Sequence, residues 1–119
     1  MRGLIRGSRI IVLGVSCIFA GSASAEITGN QLKEYCQFYP AQTQATAACI
    51  GYITGSLDTI RGMSKMLKLK AACEPPGVTG EQLASMTVKY LNDNPADLHF
   101  VAASLILNLY TKSFPCTAK

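Results

Sequence analysis

Four cysteines, Cys36, Cys49, Cys73 and Cys116, punctuate the last two thirds of this 119-residue chain. They constrain it more than any other feature. A fifth, Cys17, falls in a different kind of segment. Arg2, Arg6 and Arg9 give a basic start, Ile10 to Ala20 is apolar and uncharged, and Ala23-Ser24-Ala25 supplies small residues before Glu26. That order is the layout of a secretory signal peptide, expected over residues 1–25 with cleavage after Ala25. The apolar run is shorter than the roughly 20 residues a membrane span needs. Lipidation at Cys17 fits less well, since Leu13 stands one place too early. Export then leaves four cysteines, an even number in an oxidising compartment, which reads as two disulfides. No Cys-x-x-Cys pair occurs and His99 is the only histidine, so a zinc site has no ligand set.

Removing the leader also changes the charge. The formal net charge of +4 includes three leader arginines. Residues 26–119 keep eight Lys or Arg against seven acids, a net of +1, and the case for nucleic-acid binding goes with the leader. The remaining length suits one small domain.

Helix starts are written in capping residues. Thr28-Gly29-Asn30-Gln31 and Thr79-Gly80-Glu81-Gln82 are capping boxes. Asn94-Pro95-Ala96-Asp97 offers a cap, a proline suited to the first turn and a favourable acid. The pattern predicts helices over about 29–38, 43–69, 80–92 and 95–112, with Pro40 and Cys73-Glu74-Pro75-Pro76-Gly77 as breaks. No stretch alternates with period two. The class is all-α, a small disulfide-stapled bundle of about four helices. Leu98, Phe100, Val101, Leu105, Ile106, Leu107 and Leu109 surround the last helix, which predicts a central or dimer-forming position. A hairpin about Pro40 places Cys36 near Cys49 and leaves Cys73 for Cys116.

The second helix carries two glycines four apart, each costing about 1 kcal/mol relative to Ala. Gly51, Gly55, Asp58 and Gly62 share one face, which predicts a groove where another backbone comes close, with Asp58 capping a neighbouring helix or accepting backbone N–H bonds, and a partner contact as the alternative. Arg61, Lys65 and Lys68 form a basic stripe beside Met63 and Met66. Such stripes are usually just solvated, but methionine suits adaptable contact and cations can steer an acidic partner. The serines lack a Gly-x-Ser-x-Gly setting, the acids are scattered, and the cysteines are committed to bridges, so no catalytic set is present. His99 is expected to be structural. No cofactor is implied.

The segments CIGYITGSLD (49–58), CEPPGVTGEQL (73–83), YLNDNP (90–95), HFVAASLI (99–106) and FPC (114–116) resemble, in that order, the Rap/Tai family of periplasmic immunity proteins paired with type VI secretion amidase effectors. The resemblance implies a helical domain that dimerises and plugs the cleft of a peptidoglycan amidase. Its matching positions, Cys49, Gly51, Tyr52, Gly55, Asp58, Cys73, Pro75, His99, Pro115 and Cys116, are architectural. The expected contact surface is Arg61 to Gly77, centred on Arg61, Met63, Lys65, Met66 and Lys68. A periplasmic stress chaperone or an envelope adaptor of the same helical class is the alternative.

Overall fold

The computed structural model describes residues 26–117, so the leader expected at 1–25 lies outside the described residues. Four α-helices follow in order: α1 (Gly29–Cys36), α2 (Gln44–Met66), α3 (Gly80–Asp93) and α4 (Ala102–Ser113). Among the described residues there is no strand, only an isolated bridge between Thr28 and Val101. The fold is all-α.

Local chemistry sets three of the four starts. At α1 and α3 both capping boxes form: Gln31 N–H donates to Thr28 Oγ1 (3.4 Å) and Gln82 N–H to Thr79 Oγ1 (3.2 Å), while each glutamine Oε1 accepts from its threonine N–H. Thr43 caps α2, accepting from Thr46 N–H at 3.1 Å. The helices close on Leu32, Cys36, Cys49, Ile53, Leu57, Leu83, Leu91, Ala102, Leu105 and Ile106, all buried. The cysteines pair Cys36 with Cys49 and Cys73 with Cys116, the connectivity given by a hairpin at Pro40.

The last helix departs from the sequence expectation. Pro95–Asp97 makes one 3-10 turn, and residues 98–101 leave the helix before α4 begins at Ala102. Asn94 does not cap this turn; its Nδ2 donates back to Tyr90 O at 2.9 Å and finishes α3. The break has a partner. Gly29 N–H donates to Phe100 O and Asn30 N–H to Leu98 O, both at 2.9 Å, and Ala102 N–H donates to Ile27 O at 2.8 Å. Two amide groups orphaned at the start of α1 are thereby satisfied by carbonyls that a continuous helix would have kept. Nor is α4 buried all round, since Leu107 is exposed, as is Phe100 just before it.

The glycine expectation is also overturned. A Cβ on Gly51, Gly55 or Gly62 would meet nothing within 4 Å. The close approach occurs at Gly29, where a Cβ would stand 2.9 Å from Leu98 Cα and 3.0 Å from Leu98 O. Gly29→Ala should therefore lower stability by about 1–3 kcal/mol, because backbone must move. Gly51→Ala should be neutral or raise it by roughly 0.5–1 kcal/mol through helix propensity. Urea unfolding of both variants checks the contrast. A Gly29→Ala chain as stable as the parent would contradict this crossing.

Candidate partner-binding site

Helix α2 is long because its apolar positions recur at helical spacing for 23 residues, and its C-terminal third runs past the core. It ends at Met66, with Leu67 as cap and Lys68 in the left-handed region at φ 53°. The chain reverses there, and Leu69 N–H donates to Ser64 O at 2.9 Å. The reversal leaves a tip of unpartnered apolar side chains. Met66 is 83% exposed, Leu69 61%, Leu67 58% and Met63 54%. Lys65, Lys68 and Lys70 are exposed around them, with no acid between Gly62 and Cys73. None of the three lysines forms an ion pair among the described residues.

Arg61 does not belong to that free cation set. Its Nη2 donates to Glu74 Oε2 at 2.7 Å and its Nη1 to Asp58 Oδ1 at 3.1 Å. The guanidinium lies 5.9 Å from the centroid of the Tyr110 ring, and Tyr110 O–H also donates to Glu74 Oε2. Asp58 thus pairs with Arg61 within its own helix instead of capping a neighbour. Glu74 is the residue that sequence reasoning passed over. A single acid before two prolines gives no sign of its partners, which stand 13 residues before it and 36 after it.

Burial alone would raise the Glu74 carboxyl. The hydrogen bonds from Tyr110 and Arg61, with the Arg61 charge, outweigh it and hold the group below the usual carboxylate range. Burial and the bond to Glu74 push the Tyr110 hydroxyl up. The bond to Glu74 raises Arg61 further above its already high value. Beside this cluster, Cys73 N–H donates to Phe114 O at 2.8 Å, and the Cys73–Cys116 bridge ties the same loop to the end of α4. Residues 73 and 74 therefore anchor the segment that returns from the tip.

The other marked residues fall elsewhere. Gly51, Tyr52 and Gly55 line an open groove of about 600 Å³ between α2 and α4, with Ile60, Ala103 and Leu107. Gly62 does not line it. His99 precedes α4 on the 98–101 segment; its Nδ1 lies 2.8 Å from Ala96 O, so that nitrogen carries the proton. Its ring stacks on Phe100, with centroids 4.0 Å apart. Pro115 is exposed beside Cys116. Among the described residues no cluster of His, Cys, Asp or Glu could hold a metal ion, and no helix is long and apolar enough to cross a membrane.

The described residues thus form a small helical domain with two bridges and an exposed, apolar and basic end to α2. The profile of the Rap1a immunity proteins matches residues 28–116, and the chain belongs to that family. Searches of curated proteins and of solved structures found no significant match. Membership in the family gives an immunity role, exercised by binding a protein effector.

The Glu74 cluster makes a pH-dependent contribution. Its folded-state pKa lies below the unfolded value, so the stabilisation is complete above about 4.5 and is lost as the pH falls from there through the folded-state value. With Arg61 a third exposed, Glu74→Gln should cost about 1–2 kcal/mol at pH 7. The difference between variant and parent should shrink towards pH 3. Denaturant midpoints measured at pH 7, 5 and 3 check this, and a difference unchanged down to pH 3 would contradict it.

Proposed function

We propose that residues 26–119, freed of the leader at 1–25, work in the periplasm as one helical domain that binds a peptidoglycan amidase effector of type VI secretion and blocks its cleft sterically. The observation that carries the reading is family membership over nearly the whole described chain. The tip of α2 supports it with a surface to act through. Met63, Met66, Leu67 and Leu69 supply apolar area, and three unopposed lysines favour an acidic rim on the partner. Inhibition of this kind needs no chemistry from the immunity protein, only a preformed shape that keeps substrate out.

The homodimer is proposed on the opposite kind of surface. The groove along Gly51, Gly55, Ala103 and Leu107 is uncharged, and small residues there would let a second helix lie close. Gly55→Leu should then yield a monomer in sedimentation velocity at an unchanged fold, since a Cβ at this position meets nothing within 4 Å in its own subunit and the groove beyond it is open. A parent protein already monomeric at high concentration would rule the dimer out.

The functional test is survival of cells that send an amidase effector encoded in the same genome to the periplasm. The parent protein should protect them. A Lys65→Glu, Met66→Glu double variant should lose protection while keeping its circular dichroism. Full protection by the double variant would remove the tip from the interface. A parent that neither protects against nor binds any encoded amidase would contradict the immunity reading and favour a chaperone or adaptor role.

A further inference from the structure

The two disulfides sit in opposite environments. Cys36 and Cys49 are 3% and 0% exposed, inside the core. Cys73 and Cys116 are both exposed. The outer bridge also has a different task. It spans a sequence separation of 43 and joins the return loop of the α2 tip to the tail after α4. Among the described residues, Pro115, Cys116 and Thr117 have no backbone hydrogen bond into the body, so past Phe114 the tail depends on that bridge. On the loop side it works beside the Cys73 N–H to Phe114 O bond, the Glu74 cluster, and Ala72 and Val78, which pack against the core.

We propose that the Cys73–Cys116 bridge is a redox latch on the partner-binding tip, opened by dithiols in the folded protein while Cys36–Cys49 stays closed. Thiol–disulfide exchange needs access to a sulfur, which favours the exposed outer pair over the pair buried in the core. The reductant is a dithiol. One of its thiolates attacks one Sγ of this pair and displaces the other cysteine as thiolate. Its second thiol then attacks the mixed disulfide and frees the remaining cysteine. Two electrons pass to the protein, the dithiol leaves as a disulfide, and its two protons end on the cysteine sulfurs at neutral pH. The helical core keeps its own staple. The tail after Phe114 is released, and the loop from Leu67 to Val78 loses its covalent anchor. This regulates the surface assigned to the effector, and in that respect rests on the immunity reading.

The oxidised protein, purified from the periplasm, is treated with graded dithiothreitol, alkylated and peptide-mapped. Cys73 and Cys116 should be labelled at least tenfold faster than Cys36 and Cys49, with far-ultraviolet circular dichroism preserved. Amide hydrogen exchange should then quicken over 67–78 and 114–117. A Cys73→Ser, Cys116→Ser double variant should show the same exchange without reductant. Equal or faster labelling of Cys36 and Cys49, or unchanged exchange over 67–78 once the outer bridge is open, would overturn the latch. Affinity of the reduced protein for its amidase should fall at least tenfold, and an unchanged affinity would overturn its regulatory part. Should the oxidised protein bind no amidase, the immunity reading fails, whereas labelling and exchange still decide the latch.

Discussion

The Cys36–Cys49 bridge is buried in the core and ties α1 to α2 amid Leu32, Ile53 and the other buried side chains of the four helices. A domain this short buries a modest core, and a covalent tie between α1 and α2 limits the unfolded chain at the place where the core begins. With α1 fixed on α2, the start of α1 is brought against residues 98–101. There Gly29 and Asn30 hand their free amide groups to Leu98 and Phe100. First and last helices are thus joined by backbone, through a contact that only glycine at position 29 leaves room for. The core side of α2 is settled by these two ties, and its far end is left to project.

The projecting end becomes a defined surface only because the chain returns from it under restraint. Arg61 reaches Glu74 from α2, Tyr110 reaches it from α4, and Cys73 is held from the C-terminal tail. These contacts tie both sides of the loop to rigid elements while its apolar residues stay in water. Apolar side chains left exposed on a restrained backbone cost less ordering when they bind than the same residues on a free loop. Among the described residues the lysines around them form no ion pair, which leaves their field to a partner. Arg61, by contrast, spends its charge inside the molecule.

Much of the architecture was legible in the sequence where the signal is local. Thr28 with Gln31 and Thr79 with Gln82 announce α1 and α3 because a capping box needs only four residues. The cysteine pairing followed from one turn at Pro40. Long-range competition was invisible. The apolar period from Leu98 to Leu109 runs unbroken, and nothing in it tells that residues 98–101 would surrender their carbonyls to α1. The glycines misled for a related reason. Gly51 and Gly55 show the spacing of a packing groove, yet within the subunit they face open space, whereas Gly29, inside a capping box, looked like a cap residue and is the true point of contact. At the tip, Met63, Lys65, Met66 and Lys68 are all exposed, with Lys68 beyond the end of α2 in the chain reversal. Arg61 belonged to the same stripe by spacing and left it because Glu74, distant in sequence, arrives beside it.

The central claim is that a preformed helical surface inhibits an amidase by occupying its cleft. Titrating a purified amidase effector from the same genome with this protein, with peptidoglycan hydrolysis as the readout, tests it most directly. Steric blockade predicts activity falling in a straight line to zero at one subunit per enzyme, with both proteins recovered at unchanged mass. Loss of activity at catalytic amounts of this chain, covalent change in either protein, or hydrolysis that persists at excess would contradict it.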